Sequence, residues 1–208
     1  MSRSARCVGF SFVMSIAGAP FELAAQGQTL GLLAGMNSSQ VRGDEGSSEH
    51  RTGFVGGLYG AYGIGGRLSF RPEMLISDKG GKRSSANDVA LELRYLQVPL
   101  LLQVDLGGTG QVRPRLMAGP SVALRIGCKV SANLVGGTDV TVKCDDAPGG
   151  DPVKVSEASA IIGAALDFDR WGFGVRYDHG LTDISDVSAR APAKLRTITA
   201  YASVRMGQ

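Results

Sequence analysis

Leu68-Ser69-Phe70-Arg71-Pro72-Glu73-Met74-Leu75-Ile76 places apolar residues at its even positions and charged or small ones at most of its odd positions. Side chains of an extended chain alternate between two faces, so the stretch predicts a strand with one apolar and one polar face. The same period runs through Leu96, Val98, Leu100, Leu102 and Val104, and again through Val112, Leu116, Ala118, Val122 and Leu124. Working outward, eight such segments are expected, at 29–37, 53–62, 67–77, 90–105, 112–126, 157–168, 171–181 and 196–206. Residues 91–95 reverse the phase of the segment they begin, which predicts a bulge near Tyr95 or a portion standing outside a membrane. Pro72, Pro99, Pro114 and Pro120 fall within these segments and each removes a ladder donor, so bulges or missing pairs are expected there.

The connections between segments are unequal. Those after the first, third, fifth and seventh are long, and those after the second, fourth and sixth are tight and rich in glycine or aspartate. Segments of about ten alternating residues with this asymmetry describe a bacterial outer-membrane barrel with short periplasmic turns and longer external loops. The expected fold is therefore all-β, an eight-stranded antiparallel up-and-down transmembrane β-barrel with both ends of the domain on the periplasmic side. Pairing the first strand with the last would leave no open edge.

Alternation does not say which face points outward, because a soluble lipocalin-like barrel has the same period with its apolar face inside. The kind of charge on the polar face favours the membrane reading. Lys79, Lys82, Lys129, Lys143, Lys154 and Lys194 all fall in expected loops or at strand ends, whereas the mid-strand cations are arginines. A guanidinium suits enclosed ion pairs better than an ammonium, which is costlier to dehydrate. Arg71, Glu73, Arg113, Arg115, Glu157, Asp167, Arg176, Asp178 and Arg205 are accordingly expected to form a structural ion network. In an eight-stranded barrel side chains just fill the interior.

The first 25 residues read as a secretory signal, with Arg3 and Arg6 ahead of an apolar run at 7–19 and small residues, Ala24-Ala25, before Gln26. Residues 26–208 then form the barrel domain. Of the three cysteines, Cys128 and Cys144 remain after processing, both in the longest connection, and an exported protein can pair them. Free thiols or a metal pair are the alternatives, and neither His50 nor His179 lies near these cysteines. Asp145, Asp146 and Asp151 carry oxygens of the type calcium uses, but their spacing matches no known loop motif and a solvated acidic loop is the better reading. The net charge of +3 is small and forms no basic block, which argues against a nucleic-acid partner. Trp171, Phe168 and Phe173, around the third tight turn, fit an interfacial aromatic girdle.

The chain resembles the PorT-like outer-membrane barrel proteins, over residues 28–205. The resemblance rests on Leu33-Ala34-Gly35-Met36-Asn37, Gly53-Phe54-Val55-Gly56-Gly57-Leu58, Phe70-Arg71-Pro72-Glu73-Met74 and Arg176-Tyr177-Asp178-His179-Gly180. Its most specific part is Tyr95-Leu96-Gln97-Val98-Pro99-Leu100-Leu101. It implies an integral outer-membrane protein, in some members an accessory to secretion, with no catalytic residues to carry over.

No cofactor, metal site or catalytic residue is expected, and the chain reads as a non-enzyme. Outer-membrane lipid deacylases carry a histidine-x-serine pattern, but His50 precedes Arg51-Thr52 and His179 precedes Gly180-Leu181. The expected function is a structural or accessory envelope protein, a monomer whose partners are outer-membrane lipid and other envelope or secretion proteins. The alternative is a surface ligand-binding or adhesion barrel working through residues 38–52 and 127–155. A channel, a lipid-modifying enzyme and a soluble lipocalin-like barrel are the less favoured readings.

Overall fold

The period-two pattern carries the chain into strands that are longer than their apolar stretches. In the computed structural model residues 28–43, 46–83, 88–107, 111–134, 138–144, 154–183 and 193–206 are described, and the expected signal segment lies outside them. Among these residues there are ten strands. They are β1 (Gln28–Gly43), β2 (Gly46–Ser47), β3 (Arg51–Gly65), β4 (Leu68–Arg83), β5 (Asp88–Asp105), β6 (Val112–Leu134), β7 (Thr138–Lys143), β8 (Ser156–Phe168), β9 (Trp171–Gly180) and β10 (Ala193–Met206).

Eight of them form the barrel, in the order β10-β9-β8-β6-β5-β4-β3-β1, and antiparallel pairing of β1 with β10 closes it. The short β2 and β7 fold back on β1 and β6 in the connections at the long-loop end. At the opposite end β8 and β9 meet through Asp169-Arg170. Asp169 has φ 50°, the sign that two-residue hairpin turns of the primed type require.

Leu33, Val55, Leu75, Leu101 and Ile161 are almost completely buried inside the barrel. Their even-phase neighbours face outward: Met36 is 62 % exposed, Met74 52 %, Leu116 49 %, Val122 57 % and Ile162 61 %. With the outward residues of every barrel strand they make a continuous apolar belt. A surface of this extent is foreign to a soluble monomer and natural to a lipid-facing one. Phe168 and Phe173, ring centroids 6.3 Å apart, join exposed Trp171 beside the short-turn end.

The ladders explain how prolines are accommodated. Pairing of β4 with β5 skips from Pro72–Leu100 to Leu75–Gln97, and that of β5 with β6 from Pro99–Ser121 to Leu102–Ala118, without any change of register. Missing donors are absorbed locally, and the alternation that sorts side chains between lumen and lipid continues through them.

Two expectations need correction, and a third is met. Residues 38–43 and 78–83 were expected in loops, yet β1 and β4 run through them, because a paired ladder needs no lipid and continues into water. The bulge expected near Tyr95 is present, although residues 91–95 keep the phase of their strand. Leu93 and Tyr95 stay on the lumen face in line with Gln97, and the irregularity falls across the ladder, where Arg94 pairs with Gly127 and Tyr95 with Arg125, leaving Ile126 as the extra residue of β6. What reverses is the chemistry. Here the interior is apolar, a cluster of Leu93, Tyr95, Ala123 and Leu195, and the exterior carries the Arg94–Asp78 ion pair at 2.6 Å. This part of the barrel is built like a soluble one, with its greasy side inward, and stands beyond the lipid. Lys79, the second correction, is not a loop lysine but lies within the lumen.

Candidate functional site

Alternation aims the odd residues of β4 and the even residues of β9 into the lumen, and those positions carry charge. Nearest the short turns, Arg115 Nη1 lies 2.9 Å from Asp167 Oδ2, with Asp105 at 3.9 Å from Arg115 Nε and Arg205 Nη2 at 3.6 Å from Asp167. Further in, Glu73 is shared between two guanidiniums. Arg71 Nε reaches Oε1 and Arg176 Nη1 reaches Oε2, each at 2.7 Å. Arg71 lies over the Tyr59 ring at 3.8 Å and Arg176 over that of Tyr201 at 5.4 Å.

A third group lies toward the long-loop end. Lys79 Nζ is 3.1 Å from Asp178 Oδ2 and 3.6 Å from Glu157 Oε2, and Gln97 Nε2 donates to the same Asp178 oxygen at 2.8 Å and to Ser121 Oγ at 3.0 Å. All three charged groups are buried. Asn37 on β1 ties β4 to β10 beside this region, donating to Ser77 Oγ at 2.8 Å and accepting from Thr199 Oγ1 at 2.7 Å.

The charges of the two inner groups balance each other. The Arg71–Glu73–Arg176 group carries one excess positive charge and the Lys79–Asp178–Glu157 group one excess negative charge. Arg176 and Asp178 stand two residues apart on the same face of β9, so the two groups face each other. Buried charges are tolerated where they are paired and hydrogen-bonded. Breaking one partner leaves its mate stranded in a closed space.

Of the residues expected in this network, Arg71, Glu73, Glu157, Asp167, Arg176 and Asp178 are buried, and Arg115 and Arg205 are partly so. Arg113 is placed differently. It keeps the lumen-facing phase and opposes Asp167 in the ladder, but it is exposed, lying beyond the last layer of packed side chains where water reaches it. Lys79 and, at the short-turn end, Asp105 are the members that the sequence reading missed. Gly80-Gly81 and the following lysine look like a turn, and only the odd phase shared with Leu75 and Ser77 signalled otherwise.

Cys128 and Cys144 form a disulfide across the base of the β6–β7 hairpin. Asp145, Asp146 and Asp151 lie outside the described residues. Among the described residues no group of three or more histidine, cysteine or acidic side chains is gathered as a metal would need.

The two histidines lie on the outer surface. His179 Nδ1 is 3.3 Å from the Tyr177 hydroxyl, and Asp178 points to the opposite face, into the lumen. His50 Nδ1 is 3.2 Å from Ser38 Oγ, a contact that pairing of β1 with β3 creates between residues twelve apart in sequence. This pair is exposed. A serine–histidine contact becomes a nucleophile when a third group orients the base and donors await the oxyanion, and such donors are not part of this hydrogen bond.

Comparison with known proteins agrees with this architecture. The family model described as "Outer membrane protein beta-barrel domain" matches residues 24–186. Among solved structures, the neisserial surface protein A, NspA, is similar at 15 % identity with a TM-score of 0.50, covering 87 % of this chain and 100 % of that one. Ail, the attachment invasion locus protein of Yersinia pestis, is similar at 16 % identity with a TM-score of 0.46, covering 86 % and 99 %. OprG from Pseudomonas aeruginosa is similar at 12 % identity with a TM-score of 0.47, covering 88 % and 97 %. No curated protein sequence matches the chain significantly.

Proposed function

Because this chain belongs to the outer membrane protein β-barrel domain family, we propose that it serves the envelope as a membrane-embedded structural or accessory protein whose barrel is an anchor and does not conduct. The observation that supports this reading is Glu73 held between Arg71 and Arg176 at 2.7 Å on each side, midway along a lumen packed above and below. An ion passing this point would have to break two short charge-assisted hydrogen bonds that nothing in the lumen replaces. The outer membrane is the protein's place. The finer affiliation to PorT-like proteins, and with it a link to secretion, rests on the segment 95–101 and its neighbours.

Planar-bilayer recording of the purified barrel tests the reading and should give no large, stable conductance. Crosslinking in cells should capture envelope proteins at the short turns, for instance from cysteines placed at Arg67 or Arg170. A wide, long-lived open state would reject the plugged anchor.

A second reading has its own support in the disulfide-tied β6–β7 hairpin, which projects past the barrel with β7 paired to β6 from Lys129–Lys143 to Leu134–Thr138. A disulfide-tied hairpin at the long-loop end suits surface ligand binding or adhesion. Deleting residues 130–142 separates the two: loss of a surface-binding phenotype favours the hairpin, and its persistence favours the anchor.

A further inference from the structure

On the outward face of β10 and β1 the apolar belt ends within two residues. Ile198, 50 % exposed, opposes Tyr177 on one side and Ser38 on the other. The next outward row toward the long-loop end is His179, Arg196 and Gln40, side by side on β9, β10 and β1. Directly beyond it Arg42 and Lys194 stand opposite each other, both exposed. Three cations thus occupy adjoining positions of one antiparallel ladder, immediately past the lipid-facing aliphatics.

Like charges placed opposite one another across a ladder repel. None of Arg42, Lys194 and Arg196 makes an ion pair among the described residues, and the buried Nε of Arg196 has no acceptor. Asp183, which precedes β10, directs Oδ1 to the backbone N–H of Ala193 at 2.8 Å. The rim on the far side of the barrel is built differently. There Arg94 is held by Asp78 and Arg51 by Glu92, and Lys129, though opposite Lys143, also faces Glu92. Lys129 and Lys143 leave excess positive charge on that side as well; the cations of the β10–β1 side are distinguished by following directly on the lipid-facing Ile198.

We propose that Arg42, Lys194 and Arg196 form a binding shelf for the phosphate of a phosphorylated lipid in the outer leaflet, with the acyl chains lying along the belt below. The occupant follows from position and charge together. The shelf is continuous with a surface that lipid tails cover, so the anion that meets it at the interface is a headgroup. Clustered basic side chains at a membrane boundary recognise phosphorylated lipids in this manner. Tyr177, with its hydroxyl on His179, supplies an amphipathic ring at the same level.

The test uses the full barrel in phosphatidylcholine nanodiscs titrated with diphosphoryl lipid A. The wild-type protein should bind and its thermal midpoint should rise. Replacing all three cations, Arg42→Gln with Lys194→Gln and Arg196→Gln, should weaken binding roughly a hundredfold, at about a tenfold loss or somewhat less for each cation. That variant, already free of repulsion, should gain no stability from the lipid. Arg94→Gln, whose charge Asp78 already neutralises, should bind as wild type does. Undiminished binding by the triple variant, or equal loss in Arg94→Gln, overturns the proposal. So does binding of inorganic phosphate as tight as that of lipid A, which would assign the shelf to a free anion.

Discussion

Tyr201 lies across the lumen face of Gly174, so close that a Cβ on that glycine would stand 2.4 Å from Cζ of the ring. The two residues oppose each other in the β9–β10 ladder, and Tyr59 covers Gly31 in the β1–β3 ladder at the same distance. Each tyrosine also carries an arginine of the Glu73 group on its ring. Two glycines therefore make the room in which two aromatic rings support the central charges.

Gly174→Ala should displace a ring that is wedged between Arg176 and Met117. The expected loss is about 1–3 kcal/mol, the usual cost of overpacking. Urea unfolding in detergent micelles reads it, and an unchanged midpoint would show that the ring moves freely.

Glu73→Gln should be among the most damaging single changes. It leaves Arg71 and Arg176 facing each other in a closed lumen with no carboxylate between them, at roughly 3–5 kcal/mol for an uncompensated buried charge. The measurement is the same unfolding curve, with heat-modifiable gel migration to show whether the barrel still forms.

Around Lys79 the three substitutions should rank in a fixed order. Lys79→Met strands two buried carboxylates and should cost most. Asp178→Asn should cost less, since it weakens the closest contact of Lys79, at 3.1 Å, while keeping a partner for Gln97. Glu157→Gln should cost least, because the local excess is negative and its loss leaves the Lys79–Asp178 pair. Finding Glu157→Gln the worst of the three would refute the charge assignment.

Reducing the Cys128–Cys144 bond should leave the barrel intact. A bond spanning 16 residues is worth about 3 kcal/mol of loop entropy, but that entropy belongs to a hairpin outside the closed ladder. Cys128→Ser with Cys144→Ser should keep heat-modifiable migration and gain protease cleavage confined to the hairpin.

Ser38 should stay unlabelled by a fluorophosphonate probe, since its contact with His50 is an exposed hydrogen bond. Covalent labelling abolished by Ser38→Ala would make the protein an enzyme of the hydrolase type.

Leu68 to Ile76 disclosed the barrel because lipid on one side and packed charge on the other demand opposite chemistry at successive residues. The same reasoning reached less far where the surroundings ceased to differ in that way. At Leu93 and Tyr95 the reversed pattern was legible as a bulge or an exposed portion, because above the lipid the inner face becomes the apolar one. Lys79 was assigned to a loop because a buried ammonium is rare and glycines follow it; its partners, Glu157 and Asp178, lie far away in sequence and are brought to it by the curl of the sheet. Arg113 had the right phase, but phase gives direction and not depth. Burial at the end of a barrel depends on where packing stops. The Arg42–Lys194 opposition needed the β1–β10 register, which no local pattern encodes.

Closure between β1 and β10 has one more effect. Leu30 pairs with Met206, almost the full span of the described chain, so the first strand finds its second neighbour only when the last has been made. Until then both margins of the growing sheet offer unpaired backbone that hydrocarbon cannot solvate. Insertion and completion must therefore coincide, because water solvates the open margins of an unfinished sheet and hydrocarbon does not.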